Sequence, residues 1–276
     1  MERSADFGLF NRELRAAWKD VRPLISLMTR FVEWFGEMGI FCGEVLRALV
    51  TTRFEWAEFA HQLDELGAKS LPVAALAGCA TGVVLALETH QSLERFGASS
   101  LLPALLLISI IKESGPIITG LVVSGRAAAG IGAELAAMRV TEQIDAMEAS
   151  AVNPYGYLAA TRVTACIVMM PMLTLVADFC GVFSGWLTST LTRPISLQLF
   201  LVDGCKHADF TDFLPPTMKT AAYGLIIGTV ACYQGMRAHG GTEGVEHATT
   251  SSVVLASLCI ILADMVLVKL IQVIWP

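Results

Sequence analysis

The chain has 276 residues, of which 54% are hydrophobic and only 16% charged, and its mean hydropathy is +0.61. Soluble domains carry roughly 25% charged residues, so this composition points to an integral membrane protein. The net charge of −6 excludes a broadly basic surface for nucleic acid. The phosphate-cradling G-x-x-x-x-G-K loop, the G-x-S-x-G nucleophile turn and the H-E-x-x-H zinc pair are all missing from the sequence.

The first twenty residues hold Arg3, Arg12, Arg15 and Lys19 with several acids and no apolar block, which is not the pattern of a cleaved signal peptide. From Leu24 to Val50 the polar residues Ser26, Arg30, Glu33, Glu37, Glu44 and Arg47 recur at intervals of three, four or seven. They leave one broad apolar face, so the segment is expected to be an amphipathic helix lying on the membrane; six polar positions make a further span costly.

Five apolar runs follow, at about 71–88, 101–125, 163–187, 217–236 and 252–274, each close to the ~20 residues that cross a hydrocarbon core. Lys and Arg number nine in the arm up to Lys69, three in 126–162 and one in 237–250, against one in 89–100 and two in 188–216. That bias places the N-terminus in the cytoplasm. The seven cysteines lie mostly inside apolar runs, and no two form a C-x-x-C pair, so they read as small apolar residues of a reduced protein.

The second run, "LLPALLLISIIKESGPIITGLVVSG", is interrupted near its middle by Lys112, Glu113, Ser114, Gly115 and Pro116. Its 25 residues suffice for one crossing, so a single helix with a polar waist is expected, its hydrogen-bond ladder broken at Gly115 and Pro116. A charge at mid-membrane costs ~2.5–3.5 kcal/mol on insertion scales and usually faces a bundle interior or a cavity. Lys112 and Glu113 point about 100° apart on a helix and need not pair with each other; each would seek a partner on another helix or a polar head group. Asp178 and Asp264 are buried charges of the same kind, with no role that spacing assigns.

After the waist, "GRAAAGIGAELAAM" sets Gly125 and Ala129, Ala128 and Gly132, and Ala129 and Ala133 four apart, a pattern for close helix packing. It runs into "RVTEQIDAMEASAVNP", where Thr141 is expected to cap a short helix, Glu142 and Gln143 to open it, and Asn153-Pro154 to end it. Glu142, Asp145 and Glu148 make an acidic stripe, and Ile144, Met147 and Ala151 an apolar one. Spacing alone leaves two readings open, a docking element or a solvated loop helix. His239, Glu243, Glu246 and His247 crowd a glycine-rich turn, but their spacing fits no standard metal set.

The whole stretch from Lys112 to Pro154, "KESGPIITGLVVSGRAAAGIGAELAAMRVTEQIDAMEASAVNP", closely resembles the signature of the MlaE family of ABC-transporter permeases. The similarity continues in "HGGTEGVEHATTSSVV" and in "ELGAKSLPVAALAGCATGVVLALE", covering roughly Phe59 to the C-terminus. Ser114 stands where the family commonly has Leu, and Lys112 where it commonly has Arg; Lys keeps the charge and loses the planar fork.

The resemblance implies an all-α integral membrane protein of the bacterial inner membrane. An N-terminal interfacial segment (1–58) would precede a permease domain (59–276) with five spans and a cytoplasmic coupling helix between spans two and three. It implies a homodimer, a cytoplasmic ABC ATPase subunit that binds ATP and magnesium, an MCE-domain lipid-binding partner, and phospholipids or related lipids as cargo. No cofactor is expected in this chain. Carried over by position, Lys112 and Glu113 would line the lipid cavity, and Glu142, Gln143, Asp145 and Glu148 would dock on the ATPase. Two other readings of the residues are a gradient-driven carrier using Glu113, Asp178 and Asp264, and a scaffold without transport.

Overall fold

The computed structural model describes residues 33–34, 36–49, 55–192, 194–206 and 210–274. The chain divides into two compact units, Met1–Glu44 and Val45–Pro276. Of the helix expected between Leu24 and Val50, residues 36–49 form α1, while 24–32, 35 and 50 lie outside the described residues. Along α1, Phe41, Val45 and Ala48 are buried at helical spacing, while Glu37, Glu44 and Arg47 are exposed, as are the apolar Ile40 and Leu46.

Every regular element among the described residues is helical. In chain order these are α2 (Trp56–Gln62), α3 (Leu71–Arg95), α4 (Leu102–Ser109), α5 (Gly115–Val140), α6 (Gln143–Ala149), α7 (Ala160–Thr192), α8 (Leu197–Cys205), α9 (Phe210–Met236) and α10 (Thr242–Ile274). Three wide π-helical turns join helices end to end: Leu63–Gly67 with the tighter turn Ala68–Ser70 leads into α3, Ile110–Ser114 links α4 to α5, and Tyr155–Ala159 leads into α7. The polar waist is therefore a π turn inside one continuous helix, Leu102–Val140.

Four such stretches are long and apolar enough to cross a membrane: Trp56–Arg95, Leu102–Val140, Tyr155–Leu191 and Thr242–Ile274. The first has 40 residues, roughly 60 Å of helix against a hydrocarbon core of about 30 Å, so it reaches well beyond the apolar layer. The run expected at 217–236 falls in α9, whose Lys219 and Gln234 dilute its apolar character, so it does not join these four. Burial explains the difference. In α9 the side chains of Tyr223, Ile227, Ala231 and Cys232 are fully buried against α5, α7 and α10. By contrast α10 exposes Leu258, Met265 and Val266, α7 exposes Met172 and Phe179, and α3 exposes Leu76 and Val84. A helix that meets protein on most sides has less need of an apolar surface than one that meets lipid.

Several sequence expectations change in detail. Thr141 does not cap α6: its Oγ1 donates back to the Ala137 carbonyl at 2.8 Å, closing α5. Glu142 is the N-cap instead, in the left-handed conformation at φ 60°, without a side-chain capping bond. Asn153-Pro154 does not end α6, which stops at Ser150 and the left-handed Ala151; Asn153 Oδ1 accepts from the Tyr155 amide at 3.0 Å and so opens the next helix. The segment 188–216 contains α8, unanticipated because its apolar run is short; Phe200 anchors it in a core with Ala86, Leu102, Leu106 and Ile110.

Glycine contacts hold the long helices together. A Cβ at Gly78 would meet the Ala177 backbone and one at Gly82 the Gly181 carbonyl, so α3 and α7 touch backbone to backbone. Gly224 and Gly228 bring α9 equally close to α7 at Cys166 and Val163, and Gly132 meets Ser252 of α10. Small residues four apart allow this approach, where dispersion and short polar contacts replace the hydrophobic drive that lipid cannot supply. Gly224→Val is therefore expected to destabilise the protein by about 1–3 kcal/mol through overpacking against fixed backbone. Gly130→Ala, which faces open space, should not lower the melting temperature in detergent; a Gly224→Val protein that melts like the parent would refute the packing account.

Candidate functional site

Two of the expected intramembrane charges, Glu113 and Asp264, meet at Lys219. This residue sits in α9 with its side chain 2% exposed, and its Nζ donates to Asp264 Oδ1 of α10 at 3.0 Å and to Glu113 Oε2 at 3.1 Å. One turn further along α9, the Tyr223 hydroxyl donates to the same Asp264 oxygen. Lys219, Asp264 and Tyr223 are buried, whereas the Glu113 side chain is 47% exposed. One cation between two carboxylates leaves the group with a formal charge of −1, and its open end is Glu113.

Lys112 turns the other way and pairs with Asp212 at the start of α9, at 2.7 Å. Adjacent residues of the waist thus bind α9 at positions seven apart, two turns of helix. Each charge does find a partner on another helix. The π turn displaces Glu113 from a regular ladder, and Pro116 can donate no amide bond, so the waist is fixed by side chains where the backbone is weakest.

Asp178 of α7 lies on the other side of the same break. Its carboxylate packs against Gly115, where a Cβ would collide with Oδ1, and neither buried oxygen has a hydrogen-bond partner among the described residues.

Toward the far end of α5 the polar contacts change character. The Arg126 guanidinium donates to Ser70 Oγ at 2.7 Å and to the carbonyls of Glu65 and Leu66 at 3.2 and 3.4 Å. Arg162 of α7, 2% exposed, donates to Glu134 Oε1 of α5 at 2.7 Å and to the Leu158 carbonyl at 3.0 Å. Its Nη2 also lies 4.0 Å from Glu58 of α2.

Beyond α5, the acidic stripe of α6 is exposed: Glu142, Gln143, Asp145 and Glu148 all face out, while Ile144 is 1% exposed and holds the helix down. Asp145 pairs with Arg139 of α5, leaving Glu142 and Glu148 as the stripe's outer acids. Of the small residues, Gly132 packs on α10, Ala129 is half-buried, and a Cβ at Gly125 would meet nothing within 4 Å among the described residues.

Three acids, Glu113, Asp178 and Asp264, and one base, Lys112, were thus singled out in the sequence as isolated charges, whereas Lys219, Arg126, Arg162 and Glu134 were not. Lys219 carried the same signal as Asp264, a lone charge inside an apolar run. Arg126 and Arg162 sit outside the expected spans, where a charge attracts no notice until the helices prove longer.

The comparisons with known proteins are consistent among themselves. The family pattern described as Permease MlaE matches residues 59–270. A probable ABC transporter permease protein of Rickettsia felis is 33% identical over 241 residues, 87% of this chain and 93% of its own length. The chloroplastic protein TRIGALACTOSYLDIACYLGLYCEROL 1 of Arabidopsis thaliana is 30% identical, covering 85% of this chain and 67% of its own. A probable ABC transporter permease protein of Synechocystis is 29% identical over 80% of this chain and 84% of its own.

Removing the shared cation should expose how the cluster is balanced. Lys219→Met strands Asp264 and is expected to lower stability by about 3–5 kcal/mol, whereas the double variant Lys219→Met with Asp264→Asn should recover much of that loss. Melting temperatures of the two variants in detergent check this, and equal losses in both would refute the pairing.

Proposed function

Because the chain belongs to the MlaE permease family, we propose that it is the membrane-spanning subunit of an ATP-driven transporter that moves phospholipid or a related lipid between the inner membrane and the outer envelope. The chain works as a permease; ATP and magnesium bind a separate cytoplasmic subunit, which supplies the energy. In this reading α9 joins the four apolar stretches as a fifth span, α1 belongs to a helix on the membrane surface, and the N-terminus is cytoplasmic. Two copies form the working unit, and an MCE-domain protein receives or delivers lipid on the outer side.

The observation that carries the reading is the exposure of the waist. Lys112 and Glu113 lie eleven and twelve residues into the Leu102–Val140 helix, roughly 15–17 Å from its start. Their side chains are still 48% and 47% exposed. Charges at that depth are too costly to face lipid tails, so this surface calls for a polar covering. A cavity between two copies, with a lipid head group inside it, provides one. Lys112 and Glu113 then line the cargo cavity, and α6 presents Glu142, Gln143 and Glu148 to the ATPase, with Asp145 anchoring the helix to Arg139.

The carrier reading rests on Asp178 alone, because Glu113 and Asp264 are both held by Lys219. Reconstitution separates the two. Lipid movement should require the ATPase subunit and ATP; movement driven by a proton gradient without that subunit would replace this reading with the carrier. Glu142→Lys combined with Glu148→Lys should weaken copurification of the ATPase by roughly tenfold or more, about 1.4 kcal/mol per tenfold. Unchanged recovery of the ATPase would remove α6 from the docking surface.

A further inference from the structure

The segment Trp56–Ser70 is tied to the rest of the bundle by two arginines, one from each helix that flanks α6. Within it the backbone passes from an α helix through the π turn Leu63–Gly67 to the tight turn Ala68–Ser70. Such a change of pitch loosens carbonyls from the ladder. Arg126 of α5 takes up two of them, at Glu65 and Leu66, and also Ser70 Oγ, which itself donates to the Leu66 carbonyl at 2.5 Å. Arg162, near the start of α7, bonds Glu134 of α5 and lies within ion-pair range of Glu58 in α2, whose carboxylate also accepts from Gln62 at 2.8 Å.

The placement of these residues matters. The α6 helix is joined to α5 through Thr141 and Glu142 and to α7 through Ser150–Pro154 and the π turn Tyr155–Ala159. Glu134 precedes the end of α5 by six residues, and Arg162 is the third residue of α7. The Arg162–Glu134 bond therefore makes the inner ends of α5 and α7 one body, to which α6 is attached on short links. We propose that Arg126 and Arg162 are positioning residues that pass a displacement of α6 to the Trp56–Ser70 segment, and so to the inner end of the α3 span. This inference rests on the permease reading, in which α6 receives the push of the ATPase. The planar guanidinium suits the task, since one rigid fork engages several acceptors and moves them together.

The test uses the full chain assembled with its ATPase in lipid vesicles. Arg126→Gln should raise amide hydrogen exchange over residues 63–70 and leave it unchanged in α9 and α10. In the same sample, lipid moved per ATP hydrolysed should fall by roughly fivefold or more while hydrolysis itself persists, since coupling free energies commonly correspond to factors of that size. Glu134→Gln, at a half-exposed position that should fold, is expected to uncouple likewise. Arg126→Lys keeps the charge without the fork and should remain uncoupled; full rescue by Lys would overturn the role of the fork. Unchanged exchange at 63–70 in Arg126→Gln would overturn the tie. An unchanged lipid-to-ATP ratio, or hydrolysis and transport falling in parallel, would reduce it to a structural contact. If the parent complex moves no lipid with ATP, the permease reading fails and the transmission role with it, whatever the exchange data show.

Discussion

A single ammonium group sets the arrangement of the inner bundle. Lys219 cannot be left alone in an apolar interior, and its two carboxylate partners come from different parts of the chain, Glu113 at the α4–α5 waist and Asp264 in α10. Satisfying that one charge fixes the depth of three helices relative to one another. A hydrophobic contact tolerates sliding by a fraction of a turn; a 3.0 Å ion pair in low dielectric does not. Tyr223 adds a second anchor on Asp264, one turn along α9 from Lys219. At Gly224 and Gly228 α9 also makes glycine contacts, which demand correct depth before the backbones can meet. Polar registration and close packing therefore depend on each other.

The polar contacts along α5 change in kind from one end of the helix to the other. At the waist, Lys112 and Glu113 are paired on one side and open on the other. Further along, Arg126 and Glu134 are committed to neighbouring helices. At the end, the α6 acids are exposed. Along α5, exposed charges thus remain at the waist, at the half-exposed Glu134 and in α6 beyond the helix end.

Much of this was legible in the sequence, for reasons that differ by feature. The apolar runs gave the helices because a run of twenty such residues has few alternatives in water or lipid. The waist was visible because Lys112 and Glu113 are isolated in apolar surroundings. Partners were not visible: nothing in the spacing says that Lys112 turns to Asp212 and Glu113 to Lys219, since that depends on how α9 lies against α5. The α8 helix was missed because nine residues give too little periodicity to separate a helix from a loop. Gly78 and Gly82 carried the four-residue pattern that drew attention at Gly125 and Gly132, yet only the structure shows which such faces meet a neighbour, and a Cβ at Gly125 would meet none among the described residues.

The three π turns have an effect on the chain as a whole. Each holds one residue more than a regular turn would, which shifts the phase of everything after it by about 100°. Downstream of Ile110–Ser114, that shift decides which side of α5 carries Gly120 toward Tyr223 and Gly132 toward Ser252. The upstream part of the same helix, with Leu106 and Ile110, keeps its own alignment toward Phe200. One long helix thus serves two differently oriented surroundings, and the extra residue at the waist works as a phase slip between them. Winding the same residues as a regular helix would leave composition and hydropathy untouched and yet turn the downstream half of α5 about 100° away from its neighbours.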